Sequence, residues 1–108
     1  MLFMLRIRYA PAPGLSADDA KELRKCHDEH ASGLAAKGTL LGIWRIAATQ
    51  SNFSLWKADS SQELHDVISQ LPLFPHMQVE VTPLAKHHLS NFCQFADTDT
   101  AMPAAGQQ

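Results

Sequence analysis

Two histidines, His27 and His30, fall within the apolar stripe of a helical segment running from Ser16 to Lys37. The apolar positions of that segment are Ala20, Leu23, Ala31 and Leu34, and the two imidazoles fill the gap between them. A heptad-like reading places Leu23, His27, His30 and Leu34 on one side, opposite Asp18, Lys21, Lys25, Asp28 and Glu29. An amphipathic helix turns its stripe toward the core. Both rings are therefore expected to point inward, where a polar ring needs a partner or a ligand. Imidazole is also the side chain best suited to moving protons near neutral pH. His27 is the candidate base, and His30, one turn on, the candidate support or hydrogen-bond donor. The competing reading makes each a structural histidine, satisfied by a carbonyl or carboxylate.

Arg45 shares a predicted strand face with Leu41 and Ile43. An arginine among apolar residues is costly unless paired. It is the first candidate to hold a carboxylate in bidentate fashion; a surface or intersubunit ion pair is the alternative. Arg6, Arg8 and Arg24 are further cations of the same type. Trp44 is read as a ligand wall or as packing, and Ser54 as a ligand donor or a locally bonded strand serine. His65 flanks a short second helix and either faces a ligand or fixes that helix to the sheet. Phe74 and His76 follow a proline corner and are expected at a pocket mouth. His27 with His30 and His76 has spacing compatible with a transition metal, but neither an HExxH motif nor a cysteine cluster accompanies it, and no metal site is expected. Cys26 adjoins His27 in sequence, yet adjacent helical residues do not face each other, which argues against a Cys–His nucleophile.

The elements that position these residues follow from periodicity. Leu2 to Tyr9 alternates as a strand, with Phe3, Leu5 and Ile7 on one face. Pro11, Pro13 and Gly14 mark a loop, Ser16 a helix N-cap, and Lys37-Gly38 a helix end. Leu40–Ala48 and Asn52–Ala58 read as a hairpin around Thr49, Gln50 and Ser51. Ser60 with Glu63 forms a capping box opening a helix that buries Leu64, Val67, Ile68 and Leu71. Pro72 and Pro75 end it, and Met77–Leu84 is a fourth strand. The order is β-α-β-β-α-β, an α+β ferredoxin-like arrangement with an antiparallel sheet.

A chain of 108 residues with 45% apolar content and a formal net charge of −2 fits one soluble domain and offers no basic block for nucleic acid or anionic membrane. Residues 1–95 are read as that domain with a C-terminal docking extension carrying Leu89, Phe92 and Phe95, and residues 96–108 as a disordered tail. Two cysteines, no signal-like N-terminus and no membrane-length apolar run predict a cytoplasmic protein.

Five separated blocks resemble the muconolactone Δ-isomerase family: Ile43-Trp44-Arg45-Ile46, Asn52-Phe53-Ser54, Glu63-Leu64-His65, Leu71-Pro72-Leu73-Phe74-Pro75 and Glu80-Val81-Thr82-Pro83-Leu84 with His87 shortly after. The resemblance spans roughly residues 2 to 88 without gaps. It implies a ferredoxin-like domain that assembles through its sheet into a dimeric α+β barrel, and in known members into decamers. It also implies a cofactor-free 1,3-proton shift converting muconolactone to 3-oxoadipate enol-lactone in aromatic degradation. The family carries a glutamate where this chain has His27, a tyrosine at His30, and lysines at Arg24 and Asp28. That difference keeps open a changed lactone substrate, a chloromuconolactone dehalogenase, or a non-catalytic ligand-binding module. On the leading reading the site comprises His27 and His30 as proton-transfer residues, with Arg45, Ser54, Trp44, His65 and Phe74 around the lactone.

Overall fold

The computed structural model describes residues 1–10 and 13–90. The elements run β1 (Leu2–Tyr9), α1 (Ala17–Ala36), β2 (Leu40–Arg45), β3 (Asn52–Lys57), α2 (Ser61–Ser69), a 3₁₀ turn (Phe74–His76) and β4 (Met77–Leu84). The strands form one sheet in the order β2-β3-β1-β4, every neighbouring pair antiparallel. This is the ferredoxin-like α+β arrangement expected from the element order. The docking extension beyond Ser90 and the expected disordered tail lie outside the described residues.

Local chemistry sets the element ends. Ser16 Oγ accepts the Asp19 N–H at 3.1 Å, and Ser60 Oγ accepts the Glu63 N–H at 3.1 Å, so both helices start on a serine cap. Gly38 takes a positive φ of 80° just past α1, where a side chain would be strained. β2 ends at Arg45, short of the expected Ala48. The Thr49 hydroxyl and N–H both return to the Ile46 carbonyl, and Ala48 adopts φ 66°, which closes the hairpin before a strand can continue.

The core lies between the sheet and the two helices. Phe3, Leu5 and Ile7 project from β1, the central strand with β3 and β4 on either side, and are fully or almost fully buried. They meet Leu34 of α1, Leu64 and Ile68 of α2, Trp56 of β3, and Leu71 beyond α2. Directly opposed residues of antiparallel strands share a face. The helix-facing side therefore includes Tyr9 and Met77, Ile7 with Asn52 and Val79, Leu5 with Ser54, and Arg45 opposite Asn52. The other side carries Trp44 opposite Phe53, and these two rings are 47% and 41% exposed. No helix among the described residues is long and apolar enough to cross a membrane.

Candidate functional site

The expected enclosure of both α1 histidines holds for His27 alone. His27 and Leu34 are the buried residues of α1, with Leu23 and Ala31 half-buried, whereas His30 is exposed. At 3.6 residues per turn His30 lies roughly 60° from His27 around the helix axis. The stripe that meets the sheet is too narrow to include it.

His27 uses both ring nitrogens inside the fold. The backbone N–H of Leu73 donates to Nδ1 at 3.3 Å, and Nε2 lies 3.5 Å from the Tyr9 hydroxyl oxygen. A nitrogen that accepts carries no proton, so the neutral ring bears its hydrogen on Nε2 and donates toward Tyr9. Burial holds the His27 imidazole below its ordinary value of 6.5. Asp28 opposes that shift, while Arg24 and His30 reinforce it. The base role expected of His27 therefore meets a ring that is neutral and already has its accepting nitrogen occupied.

Tyr9 is the junction of this cluster. Its ring meets the His27 ring edge-on, with centroids 5.9 Å apart at 90°. The Arg24 guanidinium stands over the Tyr9 ring at 5.4 Å from its centroid, a cation–π distance. The Asn52 side-chain N–H donates to the same hydroxyl at 3.5 Å, while Asn52 Oδ1 is buried and finds no hydrogen-bond partner among the described residues. A hydroxyl accepts two hydrogen bonds and donates one. With His27 and Asn52 both donating, the Tyr9 O–H is left as the donor.

A cavity of about 380 Å³ opens beside this cluster, lined by Tyr9 and Ala10, the first half of α1 (Ala20, Lys21, Leu23 and Arg24), Leu73 and His76. Its volume falls within the roughly 300–1,000 Å³ of small-molecule sites. The wall at Leu73 and His76 is built by the proline corner. The Ala10 N–H donates to the His76 carbonyl at 2.7 Å and the His76 N–H to the Leu73 carbonyl at 2.8 Å, which fastens the 3₁₀ turn to the end of β1. Lys21 and Arg24 are the fixed cations of the lining, and the lining contains no carboxylate.

The other sequence-predicted residues are dispersed. Arg45 is exposed, and its Nη1 donates to the Gln50 carbonyl at 3.1 Å, so it braces the β2–β3 hairpin. Ser54 is fully buried and accepts the Trp56 indole N–H at 2.7 Å, a bond within one strand. Trp44 stands on the sheet face away from the helices, with its ring folded over Gly42, where a Cβ would come within 2.5 Å of the indole. His65 and Phe74 line a second cavity of about 510 Å³ between α2 and β4, with Leu64, Ile68, Met77 and Val79. The two cavities are separate in their linings. Among the described residues no group of three or more His, Cys, Asp or Glu side chains is placed to hold a metal.

Sequence reasoning passes over Tyr9 and takes Asn52 only as part of a matching block. A signal was present for Tyr9: the alternation that buries Phe3, Leu5 and Ile7 carries it onto the same face, so its hydroxyl is delivered to the inner rim of the sheet.

Comparison with known proteins agrees with this architecture. A family model described as muconolactone delta-isomerase matches residues 1–90. Muconolactone Delta-isomerase 2 of Acinetobacter lwoffii is 37% identical over 87 residues, 81% of this chain and 91% of that protein. The Muconolactone Delta-isomerase of Rhodococcus opacus is 35% identical over 86 residues, covering 80% and 92% of the two chains. A crystal structure of muconolactone isomerase superposes with a TM-score of 0.75 at 35% identity, over 82% of this chain and 92% of that one. A dehydrochlorinase from Burkholderia phenoliruptrix, at 17% identity and a TM-score of 0.54 over 81% and 96% of the two chains, shares the fold. With the family match running through all four strands and both helices, the chain belongs to the muconolactone Δ-isomerase family.

Proposed function

We propose that this protein catalyses a cofactor-free 1,3-proton shift in a small anionic lactone, converting muconolactone to 3-oxoadipate enol-lactone in aromatic degradation. The observation that carries the reading is the 380 Å³ cavity itself, which combines two fixed cations, an imidazole and a hydroxyl in one lining. Double-bond migration in such a ring needs three things. A cation holds the carboxylate, a base takes a proton from ring carbon and returns it to another, and a donor meets the charge that gathers on the lactone oxygen. Arg24 takes the role first assigned to Arg45, because it lines the cavity while Arg45 is engaged with the hairpin. Its guanidinium suits a carboxylate in two-pronged geometry. The Tyr9 hydroxyl, oriented by His27 and Asn52, supplies the donor. His27 thus keeps its place in the site behind Tyr9, while exposed His30 has no part in this cavity.

Purified protein mixed with muconolactone is expected to consume it with formation of the enol-lactone. Consumption no faster than in buffer would contradict the proposal.

The same reading includes a homo-oligomer. Trp44 and Phe53 are paired across strands on the face that neither helix covers, and Leu84 of β4 is also exposed. Exposed aromatics paired on an uncovered sheet face support association through that face. A second copy laid against this face would enclose them in a two-sheet barrel. Sedimentation is expected to show a dimer or a larger assembly, and Trp44→Glu to shift it toward smaller species. A wild-type monomer would contradict this part.

A further inference from the structure

We infer that His76, on the turn after the proline corner, is the base that moves the proton in the cavity beside Tyr9. The inference rests on the isomerase reading above and assigns the role that reading leaves open.

Two imidazoles flank Leu73. One, His27, gives its Nδ1 to the Leu73 N–H and its Nε2 to Tyr9, and it is not part of the cavity lining. The other, His76, is half-buried and belongs to that lining together with Tyr9, Lys21 and Arg24. Its backbone is held at both ends: the carbonyl takes the Ala10 N–H at 2.7 Å, and the N–H is given to the Leu73 carbonyl at 2.8 Å. The chain there is fixed to the end of β1, one residue from Tyr9. A base must reach the reacting atom before its basicity matters. Of the groups lining the cavity, Lys21 and Arg24 are cations, Tyr9 receives donors at its oxygen, and His76 is the remaining group able to accept a proton.

The step balances without a co-reactant. A C–H bond of the lactone ring breaks and an N–H bond forms on His76. The electron pair moves into the ring as a dienolate, whose charge on the lactone oxygen meets the Tyr9 O–H. The imidazolium then returns the proton to the other carbon, the double bond has moved, and nothing is oxidised or reduced. His27 acts as a positioning residue, its Nε2–H setting the direction of the Tyr9 hydroxyl.

The test compares His76→Ala with His27→Gln, whose amide keeps an N–H near the place of Nε2, using muconolactone as substrate. His76→Ala is expected to lower kcat roughly 10²–10⁴-fold with KM little changed, the range of general-base action. Added imidazole is expected to restore part of that rate. His27→Gln is expected to lose no more than about tenfold, the scale of one neutral hydrogen bond. Thermal melting of both variants reports folding. The inference is overturned if His76→Ala stays within tenfold of wild type, or if its lost activity shows no response to imidazole. It is also overturned if His27→Gln suffers the larger loss. Wild-type protein inactive on muconolactone would instead bring down the isomerase reading, and this assignment with it.

Discussion

The cavity lined by Leu64 and Phe74 and the cavity lined by Tyr9 and His76 differ in what they offer a ligand. The one between α2 and β4 is the larger, about 510 Å³, and its lining is Leu64, Ile68, Phe74, Met77, Val79 and Val81 with only Ser61 and His65 as polar members. The one beneath the first half of α1 is smaller, about 380 Å³, yet it gathers Tyr9, Lys21, Arg24 and His76. Size alone would choose the first; charge and hydrogen-bonding capacity choose the second. An anionic lactone losing a proton needs fixed cations and a donor, and an apolar wall supplies neither. The apolar cavity instead reads as incomplete core at the sheet's β4 edge, where Leu64 and Ile68 are buried and Val81 is 47% exposed.

Substitutions in the two regions should therefore separate stability from activity. The largest effect is expected at Leu64, which is 3% exposed. Leu64→Ala should cost about 2–5 kcal/mol of folding stability, as large-to-small core changes do. Denaturant unfolding measures the loss, and kcat per folded molecule should stay near wild type. A fall in kcat with unchanged stability would move the chemistry to the α2 cavity. Arg24→Met is expected to do the reverse. It removes a charge-assisted contact worth about 1.5–3 kcal/mol, so kcat/KM should fall roughly 10–150-fold while the melting temperature changes little. A Tyr9→Phe variant keeps the ring against His27 and Arg24 and removes the hydroxyl. Steady-state kinetics should show a loss of roughly 1–3 kcal/mol in transition-state stabilisation, mostly in kcat.

Acid sharpens the contrast further. His27 stays neutral in the fold below its ordinary value of 6.5, because burial disfavours the charged ring. The unfolded chain protonates this histidine first as pH falls, so it binds more protons than the native state over that interval. Stability consequently rises with pH through the window between the lowered folded value and 6.5, and levels off above it. Melting curves at stepped pH should show His27→Gln flattening this dependence. An unchanged slope would mean that His27 titrates in the fold as it does in the unfolded chain, contrary to this account. The smallest effect is expected at His65, exposed at the rim of the apolar cavity. His65→Ala should alter stability by no more than about 0.5 kcal/mol and leave kcat/KM near wild type.

Much of the scaffold is readable from local rules. Ser16 and Ser60 announce both helices, the alternation of Phe3, Leu5 and Ile7 announces the central strand, and the order of elements leaves little choice of topology. The site is less readable because it depends on contacts far apart in the chain. Periodicity shows that His27 points inward, but not that Leu73, 46 residues later, would occupy its accepting nitrogen. His30 is misjudged because a heptad pattern treats the stripe as wider than the strip of α1 that touches the sheet. Arg45 does share the helix-facing side with Asn52, as strand alternation implies, yet the tight hairpin draws its guanidinium to Gln50. Arg24 gains its importance only when α1 is laid across Tyr9. Residue type suggested the chemistry, and the tertiary fold decided which copies of each type come together around one cavity.

The central claim is that the cationic cavity under α1 receives the acid-bearing lactone. A crystal structure with muconolactone bound tests it most directly. The account predicts density in the cavity between Tyr9 and His76, with the carboxylate within hydrogen-bond distance of Arg24. A lactone seated among Leu64, Ile68 and Phe74, or a carboxylate held by Arg45, would contradict it.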